Sequence, residues 1–204
     1  MKAAAAALSR IGIVTALVLA APLAFAGGGH EHDDIIVGWT DLGVAGGPKY
    51  VATEFHYDEE HALPPVDGPL LWGWLGDEPG FGHLHEAEPD EDFYPLEPGA
   101  QIVLEVLALD TGLNVWTPGF GDTLEVGDTY LLGDEELHSH LEWHIDSTVS
   151  GVDPELHTYS LSFRLTDSGT TGYGASDAHT LTFVPEPATA ILAVVGLCIL
   201  RRRR

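Results

Sequence analysis

Residues 136–146 read ELHSHLEWHID, and polar and apolar side chains alternate along them without a break. Glu136, His138, His140, Glu142, His144 and Asp146 take the even positions, while Leu137, Ser139, Leu141, Trp143 and Ile145 take the odd ones. Successive side chains of an extended strand point to opposite faces. A period of two therefore sends the odd set into a core and keeps the even set outside. A helix would gather only His140 and His144 on one side and scatter the apolar residues around its axis. Whatever fold this chain adopts must supply a hydrophobic layer for that odd face.

The same grammar recurs along the chain. Short runs rich in Val, Ile, Thr, Tyr, Phe and Trp occupy 34–40, 49–57, 70–75, 101–109, 123–132, 137–149, 157–166 and 179–184, separated by Gly, Pro and Asp. Such runs predict strands, and their number and spacing predict an all-β chain, a single antiparallel β-sandwich or small barrel-like domain. Trp72 and Trp74 lie two apart, on one strand face, where they either fill the core or contact a polysaccharide. Residues 77–99 (DEPGFGHLHEAEPDEDFYPLEPG) show no element of their own; a connection that long is usually functional or disordered. Its His83 and His85 favour a loop that orders around a ligand.

The two ends are set apart by composition. Lys2 and Arg10 precede an apolar run, Ile11 to Leu23, and Ala24-Phe25-Ala26 provides the small residues that signal peptidase requires. Residues 1–26 therefore read as a secretory signal peptide. At the other end, Pro185, Glu186 and Pro187 precede the apolar segment Ala188 to Leu200, and Arg201 to Arg204 close the chain. This arrangement resembles the PEP-CTERM sorting signal, and the arginines suit a cytoplasmic end. The resemblance implies residues 185–204 as a sorting helix with a short transmembrane segment. It also implies transient inner-membrane anchoring, an exosortase-type processing protease as partner, and a final place at the cell surface or outside it. Between the two ends lies a predicted domain of residues 27–184.

Charge and cysteine content exclude several classes. The formal net charge is −24, and of eight basic residues only Lys49 and Arg164 fall within 27–184, against every acid but Glu186. Such a surface repels nucleic acid and attracts cations. The single cysteine, Cys198, lies in the C-terminal apolar segment. Disulfides, thiolate zinc sites, iron–sulfur clusters and cysteine nucleophiles are thereby excluded from the domain. No Ser-His-Asp motif or phosphate-binding glycine loop is present. Asp90 and Asp92 give only a fragment of a calcium loop.

All 11 histidines fall between residues 30 and 179, and three pairs have the form His-x-His: His30/His32, His83/His85 and His138/His140. In a strand both rings of such a pair face one side and can reach one ion. The even face of 136–146 holds only imidazole and carboxylate, the donors that suit zinc. His138, His140 and His144 are therefore candidate metal ligands, with His83 and His85 as partners from the acidic loop. His30 and His32 near the predicted new N-terminus, and His56 and His61 flanking an acidic cluster, are further candidates. His157 and His179 begin strands singly and read as structural.

The stretches HEHDD, GHLHEAEPD and LHSHLEWHID, together with the C-terminal signal, resemble the Zur-repressed PEP-CTERM proteins, a zinc-responsive family. HSHLEWHID followed by HTYSLSFRLTD is also similar to surface-anchored repeats found near metal-uptake transporters. These resemblances imply a non-enzymatic role in capturing or storing Zn²⁺ outside the cytoplasm, with a transporter or surface polysaccharide as a further partner. A matrix protein associated with polysaccharide is the second expectation. A third is a cupin-like metalloenzyme, because Gly133…His138-Ser139-His140…His144 is loosely similar to a cupin first motif. Glu142 comes too early for that motif, and a second one is lacking.

Overall fold

The computed structural model describes residues 34–55, 60–68, 71–149 and 157–186 of the 204-residue chain. Among them are the strands β1 (Ile35–Thr40), β2 (Tyr50–Glu54), β3 (Glu60–Leu63), β4 (Pro65–Asp67), β5 (Trp72–Gly76), β6 (Phe81–His83) and β7 (Ile102–Leu109). They continue with β8 (Leu113–Trp116), β9 (Thr123–Leu124), β10 (Thr129–Gly133), β11 (His138–Ser139), β12 (Glu142–Asp146), β13 (Tyr159–Asp167) and β14 (His179–Pro185). The described residues contain no helix, and the all-β expectation holds. Residues 1–33, which include the segment expected to be a signal peptide, and residues 187–204, including Pro187 and Cys198, lie outside the described residues. No described helix is long and apolar enough to cross a membrane.

The strands form three sheets: sheet A in the order β11-β6-β1-β2, sheet B in the order β10-β7-β13-β14-β3, and sheet C in the order β4-β5-β12-β8-β9. Pairing is antiparallel except for β1 with β6 and β14 with β3. Sheet B turns one apolar face inward: Tyr159, Leu161, Phe163 and Leu165 alternate along β13, beside Leu181 and Phe183 of β14. That face serves both other sheets. Phe163 meets Phe81 of sheet A edge-on, ring centroids 5.7 Å apart. Phe183 lies against Trp143 of sheet C at 5.0 Å. Sheets A and C thus form one layer opposite sheet B, and the sandwich has one layer split in two.

The alternating segment crosses that split. Its first part, β11, pairs with β6 in sheet A; its second, β12, pairs with β5 and β8 in sheet C. Leu137, Ser139, Leu141, Trp143 and Ile145 are all buried, so the face toward sheet B stays continuous while the ladder partners change. Strands that switch sheets in this way make the corners of sandwiches. Trp143 ties the junction, its indole N–H donating to the Pro79 carbonyl at 3.1 Å, just ahead of β6.

Four strands differ from the sequence expectation. Residues 77–99 contain β6, a central strand of sheet A, and Tyr94 bridges to Trp39 in β1. Only three residues long, β6 is specified by its neighbours and not by any period of its own. The short β3 and β4 likewise lack a readable pattern, and β8 alternates, with Leu113 and Val115 buried, over only four residues. Trp72 and Trp74 do not share an environment: Trp74 is buried, with its N–H on the Glu186 carbonyl at 3.0 Å, whereas Trp72 is exposed. The last strand runs past residue 184. Pro185 pairs with Leu63, and Glu186 N–H donates to the Leu63 carbonyl at 2.9 Å, so the folded unit includes the first two residues of the Pro-Glu-Pro triplet.

His179 sits half-buried at the start of β14, against Phe55 and Phe163, with Nε2 3.1 Å from Thr53 Oγ1. Burial holds its pKa below the ordinary 6.5, against a smaller opposing pull from Asp177. The unfolded chain therefore binds the proton more readily than the folded one. His179's contribution is complete above pH 6.5 and declines as the pH falls from there toward its lower folded value. Urea unfolding of His179→Gln is expected to show a flatter pH dependence in that window than the parent; identical slopes would show that the ring titrates alike in both states. Trp143→Ala is expected to lower the unfolding free energy by about 3–5 kcal/mol, as for other buried aromatic truncations. A loss under about 1 kcal/mol would mean that the sheet junction does not depend on this ring.

Candidate metal centre

Three strands of sheet A build the centre, and the middle one contributes almost no side chain. In the ladder Ile35 lies opposite Phe81 and Ile36 opposite Gly82, while His138 lies opposite Gly82 and Ser139 opposite Phe81. Ile35, Phe81 and Ser139 are buried toward sheet B. Alternation then places Asp34, Gly80, Gly82 and His138 together on the outer face. The backbones of β1 and β11 are separated by two strand spacings, about 10 Å. Their side chains meet because β6 has none in between.

Gly80 shows how closely they meet. A Cβ built there would lie 2.5 Å from Asp34 Oδ1 and 2.6 Å from His140 Cε1. A Cβ at Gly82 would lie 3.3 Å from Asp34 Oδ2. The glycines of the GFG stretch thus form the floor of a cleft walled by Asp34 on one side and the two imidazoles on the other.

The donor atoms converge. His138 Nε2 lies 3.1 Å from His140 Nε2 and 3.4 Å from Asp34 Oδ2. His140 Nε2 lies 4.0 Å from Asp34 Oδ1. One donor atom from each of the three residues falls within 4.8 Å of the others. A tetrahedral ion with bonds near 2.0–2.1 Å places its ligand atoms about 3.4 Å apart, within the range observed. Asp34 is buried, and its Oδ1 accepts no hydrogen bond. Polar atoms buried in this way are costly, about 1–3 kcal/mol each, and generally signal a missing partner.

The histidine tautomers follow from their carbonyl contacts, since a carbonyl can only accept. His140 Nδ1 is 3.1 Å from the Asp77 carbonyl, so it carries the proton and donates. Nε2 then presents its lone pair to Asp34 and His138, the arrangement by which metal-ligating histidines are commonly oriented. Two ring nitrogens 3.1 Å apart require a proton or a cation between them. Here the proton belongs to His138, and a divalent ion would displace it. Acid groups surround this ring. Glu78 Oε1 lies 3.9 Å from His140 Nδ1. The Glu142 pKa is raised first by burial and then by the charge of Asp77, effects only partly opposed by the Gly119 N–H and by His140. The cleft opens on the side of His138, whose side chain is 57 % exposed against 8 % for Asp34.

The other predicted ligands lie elsewhere. His144 shares the alternation, but the chain has passed into sheet C by then, and the residue is buried. Its Nε2–H donates to the Trp72 carbonyl at 3.2 Å, and its Nδ1 faces the Asn114 amide at 3.4 Å, so neither nitrogen is left for a metal. His83 follows Gly82 in β6 and therefore turns to the opposite face from His138. Its Nδ1–H donates to the Leu137 carbonyl at 3.1 Å, and its ring contacts that of His85. His61, on β3, packs its ring against Phe183 at 5.7 Å. His157 is exposed just before β13. His30, His32 and His56 lie outside the described residues.

Sequence reasoning missed Asp34, which is separated from His138 by most of the domain. The available signals were its even position ahead of the Ile35/Val37 alternation and the paired glycines in GFG. Glu54, Glu88 and Glu91 form a second, all-oxygen group. Asp92, from the calcium-like fragment, is used structurally: it accepts from Thr40 Oγ1 and the Gly43 N–H, both at 2.6 Å, and those bonds contribute to its lowered pKa, Thr40 foremost.

Compared with protein-family models, curated proteins and solved structures, the chain matches none. The geometry alone therefore bears on the chemistry, and it offers an Asp-His-His group able to hold a metal ion.

Gly80→Ala places a methyl group against Asp34 and His140. If the group holds a divalent metal ion, binding of that ion is expected to weaken by about tenfold or more with the far-ultraviolet circular dichroism unchanged. Undiminished binding would show that the cleft floor is not needed to set the ligands.

Proposed function

We propose that this chain is an exported, surface-targeted protein that captures or stores a divalent transition-metal ion, zinc foremost, through Asp34, His138 and His140. The observation that carries this reading is buried Asp34, whose Oδ1 lacks a hydrogen-bond donor and lies 4.0 Å from His140 Nε2 while its Oδ2 lies 3.4 Å from His138 Nε2. Two nitrogens and one carboxylate oxygen suit zinc better than calcium or magnesium, which prefer oxygen cages. Three protein ligands leave a fourth position on the exposed His138 side, which favours exchange of the ion over a purely structural role.

Export is supported by the sequence at both ends: the leader over residues 1–26, and the Pro-Glu-Pro, apolar and arginine series at 185–204. On this reading signal peptidase removes the leader, and an exosortase-type protease processes the C-terminal signal after transient anchoring. The acidic surface attracts cations to the site, and delivery to a metal-uptake transporter is a natural continuation. No catalytic step is assigned. A polysaccharide-associated role finds its support in Trp72, exposed next to the edge strand β4. Glycan retention that resists chelators and is lost in Trp72→Ala would favour it.

The test is calorimetric titration of the full-length chain with Zn²⁺ in mild detergent. Micromolar or tighter binding is expected, weakened at least about tenfold in Asp34→Asn and in the His138→Ala/His140→Ala double variant. It is also expected to fall on acidification, because ligating imidazoles must be deprotonated. Millimolar affinity in the parent, or equal affinity in the variants, would sink the proposal.

A further inference from the structure

We propose that His83 and His85 form a second and separate site for a borderline divalent transition-metal ion, at the rim of the opposite face of β6 from the Asp34–His138–His140 centre. Register separates the two. Phe81 points into the core, Gly82 outward beneath Asp34, and His83 back to the side of Phe81, so His83 cannot reach the cation held over Gly82. The same ladder that gathers His138 with Asp34 therefore divides the two His-x-His pairs.

The second pair has the features of a chelate. His83 Nδ1–H is committed to the Leu137 carbonyl at 3.1 Å, which fixes the tautomer and leaves Nε2 as the lone-pair nitrogen. The His85 ring stands beside it, centroids 4.3 Å apart and planes at 69°. His85 is exposed, so its ring can rotate to share an ion at little cost. His83 is anchored and His85 adjustable. Buried Leu84 between them holds the chain, its N–H donating to the Val37 carbonyl at 3.0 Å. Two imidazoles with water completing the shell select Zn²⁺, Ni²⁺ or Cu²⁺ over calcium and magnesium. With fewer protein donors and more exposure than the first centre, this site binds more weakly and exchanges faster.

The test is Zn²⁺ alone added to the full-length chain. Uptake is followed by equilibrium dialysis, and the individual imidazoles by long-range ¹H–¹⁵N spectra. Two uptake steps are expected, the weaker shifting the His83 and His85 resonances. His85→Ala, at an exposed position, and His83→Asn, which keeps an N–H for Leu137, should each remove the weaker step and leave the stronger intact. His138→Ala/His140→Ala should do the reverse. Retention of both steps in His85→Ala, or loss of both in the His138/His140 variant, would overturn the two-site proposal. If the His138/His140 variant keeps both steps while His85→Ala still loses one, the second site stands and the function proposed above falls.

Discussion

The structure turns on one continuous apolar edge, the odd-numbered face of Leu137–Ile145 against sheet B. Two half-layers sharing a single opposing sheet would have little to hold them together if each ended at its own border. Instead one chain segment belongs to both, and Trp143 sits at the crossing, packed against Phe183 and hydrogen-bonded to Pro79. Because the same side chains stay inward on both sides of the crossing, the hydrophobic gain is not interrupted when the hydrogen-bond partners change. The candidate metal centre and the buried His144 are two consequences of that crossing, one on each side of it.

The candidate centre departs from the ordinary rules of satisfied burial. Asp34 is placed at the head of β1, where its backbone is fixed by Ile35 N–H on the Gly80 carbonyl at 2.9 Å, and its side chain is then confined over a glycine floor. One of its oxygens lacks a donor there. Sites that keep such a cost commonly use it, and a cation bound by two imidazoles would remove it. The carbonyl of Asp77 presets the His140 tautomer, so little reorganisation remains for the moment of binding.

The two basic side chains of the folded region are both spoken for. Arg164 pairs with Glu105 across β13 and β7 at 2.7 Å. Lys49 is bonded to Glu97 and rests over the Trp39 ring at 4.2 Å. Neither is placed to neutralise Asp77, Glu78 and Glu142 around the cleft, so the field at the ligands stays negative. Long-range attraction of cations then follows from composition, whereas selection among them follows from the donor atoms.

Periodicity is local, and what it governs was legible. The extended character of 138–139 and 142–146, their buried odd face, the all-β class and the nearness of His138 to His140 all depend on residues a few positions apart, whereas the break at 140–141 that divides the expected single strand between two sheets does not. Partner choice is not local. Nothing within GFGHLH announces that β6 would lie between β1 and β11, and only that placement brings Asp34 to His138 and turns His83 away from it. The even face likewise predicts that His144 looks outward but not that sheet C would close over it with Trp72 and Asn114. The sequence by itself determined which side chains lie on each face. Tertiary structure alone decided which faces meet, because strand pairing joins distant segments through backbone hydrogen bonds that carry no side-chain identity.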